Sequence, residues 1–392
     1  MELSSKKHIL WPLAFLLFNI SRLSPFRQKR LWLFGAWEGM KYDDNSKYLF
    51  EYICEKHSND IKAVWLTNKK QIAEEVNEKG YEAYSNQSLR GLWLQLRAGV
   101  VVYTNSLYDF GPTPLIGGAE VVTTWHGMSF KKIYNAKYTG AKLLAKKTMD
   151  RLFSWTYRNT STVTSKQGQI WLTESFTLNA NEIYITGQPR NDILKKVDRG
   201  AVLSDLKIPV DKKLILYLPT YRMPAMGCGA MEKIIRGMYD SIELDDALSK
   251  GNFVLLAKPH PLTPHINIEP RENFRILDYL FVKNNQELLG AGDVLITDFS
   301  GTFIDFALLN RPVIFYEPDE KEFLKHSEKI DRKFFDLCSL NKAVTPRELA
   351  DKILHPSTAA CQAINEVWED KSITGTCYSE NVYNVIRRKV GI

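Results

Sequence analysis

Five short segments each end an apolar run in a turn carrying a side chain that can handle protons or phosphate. They are Trp125-His126-Gly127, Gly187-Gln188-Pro189-Arg190, Pro219-Thr220-Tyr221-Arg222, Lys258-Pro259-His260-Pro261 and Asp298-Phe299-Ser300-Gly301-Thr302. A neutral imidazole accepts a proton near physiological pH, and a guanidinium can hold phosphate oxygens in a bidentate fashion. The last turn opens a helix whose first N–H groups lack intrahelical partners, so it suits a phosphate or pyrophosphate. Ser300 and Thr302 add hydroxyl donors there, and Gly301 lets a ligand approach the backbone. Two prolines fix the backbone around His260. Each feature also has a plainer reading: His126 bonded to backbone, Arg190 in a salt bridge to Asp192, Asp298 or Ser300 capping a helix.

The stretch 291–319 shows what must position such turns. Residues 294–297 read as a strand, Phe303, Phe306, Ala307 and Leu309 recur at helical spacing before Pro312, and residues 313–316 read as a second strand. This is a parallel βαβ unit, which aims the first turn of its helix at the carboxyl edge of the sheet. The same alternation runs through the chain. Strands are expected at 31–34, 61–66, 100–104, 120–124, 162–164 and 183–186, then at 214–218, 253–257 and 274–277. Near-continuous apolar strands predict parallel sheets covered on both faces, hence an α/β fold. The charged, aperiodic stretch 195–213 marks a linker, and 223–231 reads as an irregular, mobile loop at the active site.

At 392 residues, with 44% hydrophobic and 12% aromatic residues, the chain is expected to form two domains. Fifty-two Lys and Arg against 45 Asp and Glu leave a net charge of +7. That excess suits phosphorylated substrates or an anionic membrane face, and no nucleic-acid motif accompanies it. The five cysteines, Cys54, Cys228, Cys338, Cys361 and Cys377, have no CxxC or zinc spacing, so a reducing location with no structural metal is expected. Residues 8–20 are apolar but thirteen long, against about 20 for a membrane span. With Lys6 and Lys7 before them and Arg22, Arg27, Lys29 and Arg30 after, they read as a segment lying on a membrane surface, or else as a docked helix or a short span. The basic stretch 131–151, with Leu143, Leu144 and Leu152, faces membrane, a polyanionic acceptor or solvent.

Taken together, WHG at 125–127, GQPRND at 187–192, LPTYR at 218–222, KPHP at 258–261 and ITDFSGTFIDF at 296–306 resemble, in order and spacing, the CDP-glycerol glycerophosphotransferases that build teichoic acids and related capsule polymers. WEGMKYDDNSKYLFEY at 37–52 and KAVWLT at 62–67 resemble that family's first domain, and the resemblance covers about residues 30–370. It implies a GT-B arrangement of two Rossmann-like domains facing each other across a cleft, an acceptor domain 30–195 and a donor domain 196–392, following the membrane-associating segment 1–29 read above. His126 and His260 are implied as catalytic, with Arg190, Arg222, Asp298, Ser300, Gly301, Thr302 and Asp305 on the donor. Gly301 departs from the family's usual second serine.

The implied donor is CDP-glycerol or a related CDP-polyol, and the acceptor a lipid-linked or polymeric hydroxyl at the cytoplasmic face of an anionic membrane. No nucleic acid, cofactor or metal is expected. Chemistry of this kind rests on positioning and charge neutralisation: the hydroxyl attacks the β-phosphorus in line, CMP leaves, His126 takes the proton, and His260, Arg190 and residues 300–302 stabilise the departing charge. Two other readings stay open because fold does not fix function: a GT-B glycosyltransferase using a nucleotide-sugar, and a non-catalytic membrane-associated nucleotide-binding module.

Overall fold

The computed structural model describes residues 2–153, 160–227, 229–277, 284–327 and 329–392. They fall into two compact units: residues 1–128, 134–192 and 370–392 form the first, and residues 129–133 and 193–369 the second. Cys228 and the side chains of Lys6, Lys7, Arg151 and Leu152, all invoked above, lie outside what is described.

The first unit holds seven strands: β1 (Gln28–Phe34), β2 (Lys62–Thr67), β3 (Ala83–Ser85), β4 (Ala98–Tyr103), β5 (Glu120–Thr123), β6 (Thr160–Val163) and β7 (Ile183–Ile185). They pair in the order β3-β2-β1-β4-β5-β6-β7, every pair parallel, with Trp32 opposite both Ala63 and Val100. Trp32, Phe34, Trp65, Val100 and Val102 are wholly buried on one face, and Leu33, Val64, Leu66 and Val101 on the other. Burial on both faces is why these strands read as unbroken apolar runs.

The second unit repeats the plan with β8 (Lys213–Leu218), β9 (Phe253–Ala257), β10 (Phe274–Ile276), β11 (Val294–Thr297), β12 (Val313–Tyr316) and β13 (Lys342–Ala343), in the parallel order β10-β9-β8-β11-β12-β13. In each sheet the winding reverses once, between β1 and β4 and between β8 and β11. Ligands of open α/β sheets bind outside the carboxyl ends of the strands at such reversals.

Several expectations need correction. The division at 195/196 fails at the chain's end: the helix Tyr378–Val390 belongs to the first unit, with Val382, Tyr383 and Ile386 buried against Trp32, Phe34 and Phe50. Asp192 holds that helix start by accepting from Tyr378 N at 2.7 Å and Ser379 N at 2.8 Å. Nor is 1–29 a separate segment. The N-terminal helix Glu2–Ser21 buries Ala14 and Phe18 beside Leu31 and Leu33, and Ser21 Oγ accepts from Gly117 N at 2.8 Å. Arg27 donates to the carbonyls of Gln95 (2.6 Å), Ala98 (2.9 Å), Ser21 (3.1 Å) and Leu115 (3.2 Å). Among the described residues no helix is long and apolar enough to cross a membrane.

The helix after β11 runs only from Thr302 to Ala307. Ala230 and Met231, expected in an irregular loop, begin the helix Ala230–Tyr239, with Met231 buried.

Candidate functional site

In the first unit, β5 ends in a backbone contortion. Trp125 has φ +54, a conformation that a bulky side chain adopts only when its surroundings force it. Its indole is buried beside Phe176 at 5.2 Å and stacks on the imidazole of His126 at 4.3 Å. The turn thereby presents a half-buried His126 at the carboxyl edge, with Trp37 at 5.5 Å from its ring. His126 Nδ1 lies 3.5 Å from the carbonyl oxygen of Thr104. A carbonyl only accepts, so this long contact favours the tautomer with hydrogen on Nδ1 and the lone pair on Nε2.

Two residues from the start of the helix Asp44–Lys56 build this turn, and neither was singled out from the sequence. Asn45, fully buried, donates through Nδ2 to Thr124 O (3.2 Å) and Trp125 O (2.9 Å), while its Oδ1 accepts from Arg190 N (3.1 Å). Asp44 pairs with Arg190 Nη1 at 3.0 Å, and the same nitrogen donates to His126 O at 3.0 Å. Arg190 is therefore engaged in holding the histidine turn. Its carboxylate partner is Asp44, since Asp192 is occupied by the C-terminal helix. At Gly127 φ is +130, a conformation that favours glycine, and a Cβ there would lie 2.9 Å from Arg190 Nη2, so that the guanidinium would have to shift.

In the second unit, Arg222 follows β8 and is almost wholly buried, its side chain 2% exposed. It donates from Nη1 to Asp298 (2.7 Å) and Thr220 O (2.9 Å), and from Nε and Nη2 to Asp319 (2.7 and 2.8 Å). Asp298 also accepts from Thr220 N at 2.8 Å. Burial alone pulls the guanidinium down, but Asp298 and Asp319 more than offset it, so Arg222 stays charged. Asp305 is buried too, taking a bond from Gln286 Nε2 at 3.4 Å. Arg222 and Asp298, expected on the donor, are thus interior groups that with Asp319 tie the loops after β8, β11 and β12 together, and Asp305, also expected there, is an interior group bonded to the helix before β11. A carboxylate and a guanidinium bonded face to face leave little for a ligand.

What the second unit does present is His260, exposed, and the half-exposed Ser300, Gly301 and Thr302. The hydroxyls of Ser300 and Thr302 lie 2.8 Å apart. Gly301 has φ −68, open to any residue, so what glycine supplies there is a missing side chain. His260 Nδ1 accepts from Leu262 N at 3.2 Å, which puts the hydrogen of the neutral ring on Nε2. Tyr221 lies 5.3 Å from its ring. No group of His, Cys, Asp and Glu able to hold a metal occurs among the described residues.

Comparison with known proteins gives this arrangement a relationship. The chain is 29% identical over 333 residues to the teichoic acid poly(glycerol phosphate) polymerase of Bacillus subtilis strain 168, covering 82% of this chain and 42% of that one. It is 27% identical over 380 residues to the teichoic acid glycerol-phosphate transferase of Staphylococcus aureus strain NCTC 8325, covering 88% and 86%. In fold it is similar to the wall teichoic acid polymerase TagF, solved as a variant soaked with CDPG, at TM-score 0.77 and 20% identity over 99% of this chain and 97% of that one. The model of the CDP-glycerol:poly(glycerophosphate) glycerophosphotransferase family matches residues 16–353, and the chain belongs to that family.

Proposed function

We propose that this chain transfers glycerol phosphate from CDP-glycerol to a hydroxyl of a membrane-linked acceptor in teichoic acid or capsular polymer synthesis, releasing CMP. The observation that carries the reading is the pair of histidine contacts: His126 Nδ1 faces the carbonyl oxygen of Thr104, an acceptor, whereas His260 Nδ1 faces Leu262 N–H, a donor, from which we infer opposite tautomers. His126 keeps its lone pair on Nε2 and is the base; His260 keeps its hydrogen on Nε2 and is the donor to phosphate. The acceptor oxygen attacks the β-phosphorus, its proton passes to His126 Nε2, and the bond from phosphorus to the CMP oxygen breaks. His260 Nε2–H and the hydroxyls of Ser300 and Thr302 meet the charge on the departing CMP, with Thr302 taking the place of the family's second serine.

The test is incubation with CDP-glycerol and a lipid-linked acceptor, followed by phosphorus NMR. A new phosphodiester with stoichiometric CMP supports the reading; a glycosidic product, or nucleotide binding without CMP, overturns it. His126→Ala should lower kcat by about 10²-fold or more with donor KM little changed. His260→Ala should weaken donor binding as well as rate. If His126→Ala keeps its kcat, the base lies elsewhere.

The enzyme works as a peripheral protein on the cytoplasmic face of the membrane. Leu16 and Ile20 on the N-terminal helix, which buries Ala14 and Phe18, are 54% and 52% exposed, and Leu23 and Phe26 in the turn after it are 83% and 52% exposed. Such a face can lie in the boundary of an anionic bilayer. Leu16→Glu with Leu23→Glu should abolish sedimentation with anionic vesicles; unchanged sedimentation would place the contact elsewhere.

A further inference from the structure

We propose that Asp109 is a positioning residue that holds His126 in its proton-accepting form, by fixing the Thr104 carbonyl that faces Nδ1 and the Trp37 indole that lies beside the ring. The inference rests on the reading of His126 as the base. No sequence motif drew attention to Asp109, which follows β4 in a short helical turn, Leu107–Phe110, at the reversal in the winding of the first sheet.

Asp109 is wholly buried. Its Oδ1 accepts from Glu38 N at 2.6 Å, in the loop after β1, and its Oδ2 accepts from Thr104 N and Asn105 N, both at 3.2 Å, after β4. One carboxylate therefore ties together the two loops that flank His126. The loop after β1 needs such a tie, because Trp37, Glu38 and Gly39 are consecutive residues at φ +50, +59 and +73, and two of them carry side chains. Residues held in the left-handed region persist only where their surroundings over-determine them. Asn68 and Thr67 hold the far side of that loop through Gly39 O, each at 2.7 Å. Asp109 holds the near side, and with it the indole against His126.

The carboxyl itself is raised to about 7 by burial, opposed by the backbone N–H groups of Glu38, Asn105, Thr104 and Ser106. Its ionised form offers two acceptor oxygens to these N–H donors, three of them within 3.2 Å. An amide in its place turns one of those oxygens into a donor facing another donor.

The experiment labels the seven histidines with ¹⁵N and reads the His126 ring nitrogens by NMR in the wild type and in Asp109→Asn, alongside kinetics. Wild type should show hydrogen on Nδ1. Asp109→Asn should move His126 to a mixture of tautomers and lower kcat tenfold or more, with donor KM changed less than twofold. A folded Asp109→Asn with the wild-type tautomer and kcat overturns the proposal, whatever its melting temperature. Should Asp109→Asn fail to fold, Trp37→Ala decides by the same spectrum: a shifted tautomer population supports the proposal, and a wild-type one overturns it. The tautomer is read without turnover, so a catalytically silent His126→Ala would remove the base assignment while leaving this coupling to stand or fall by itself.

Discussion

In the first unit the reversal of winding lies between β1 and β4 and is closed by Asp109; in the second it lies between β8 and β11 and is closed by Asp298. Both carboxylates are wholly buried at the same place in the same kind of sheet. Asp298 faces a guanidinium, Arg222, which Asp319 grips from the other side. The Asp109 carboxyl is raised by burial, opposed by backbone N–H groups. A buried ion pair makes a stiff clamp whose loss is severe, because removing one partner strands the other's charge. A carboxylate held by peptide groups strands no opposite charge when it is removed, and its burial makes its own charge sensitive to pH. The pH-sensitive version sits beside the residue proposed to move a proton, and the ion-paired one next to the turn proposed to hold phosphate.

The largest effect should come from breaking the stiff clamp. Arg222→Met leaves Asp298 uncompensated in the interior and should cost roughly 3–5 kcal/mol of stability. A urea titration reads this as a lower midpoint at an unchanged slope. Arg222→Lys should recover little, since an ammonium cannot reproduce bonds to Asp298, Asp319 and Thr220 O from one planar fork. Near wild-type stability in Arg222→Met would show that the two reversals are held alike after all.

The next effect concerns pH. Asp109 is raised from 3.8 to about 7, so the stability it contributes is fully present below about pH 4 and is lost as pH rises through about 7. The swing is at most about 4 kcal/mol. Asp109→Asn lacks this titration. Wild-type stability minus variant stability, measured by urea unfolding at pH 5, 6, 7 and 8, should therefore fall with rising pH. A difference that stays flat would mean that the peptide N–H groups hold the carboxyl near its ordinary value.

How much of this was legible in the sequence follows from how far each interaction reaches along the chain. The strand-end turns carrying His126, Arg190, Arg222, His260 and Ser300 could be read because each is local: an apolar run, then Gly, Pro or a small polar residue. Parallel sheets followed from strands apolar on both faces. The partners of those turns were not legible. Asn45 reaches Arg190 across 145 positions, and Asp319 reaches Arg222 across 97. Such pairs leave no periodicity, so the turns carrying Arg222 and Asp298 could be read but not that the two side chains pair with each other. The return of the helix Tyr378–Val390 to the first unit was hidden for the same reason, its amphipathic pattern showing that it packs without showing on what. Asp109 lay in YTNSLYDF, a stretch with no motif, and only the three N–H groups converging on it reveal what it does.

The smallest of these effects asks which side of the comparison Arg190 belongs to. As a phosphate ligand it would act on the donor, and its removal would raise donor KM. The structure engages it within the first unit, with Asp44 and with the carbonyl of His126. Arg190→Ala should therefore act through the histidine turn, losing charge-assisted bonds of about 1.5–3 kcal/mol. In rate that is about 10- to 100-fold in kcat, with donor KM within twofold. Arg190→Lys should recover only part of the rate, because an ammonium on a shorter, flexible stem lacks the planar guanidinium that places Nη1 against both Asp44 and the His126 carbonyl. The ¹⁵N signals of His126 should broaden or shift in Arg190→Ala as the turn loosens, while the donor-induced change in the His260 signals persists. A variant in which donor KM rises and kcat stays normal would return Arg190 to the donor and leave Asn45, through Thr124 O and Trp125 O, as the principal support of the base.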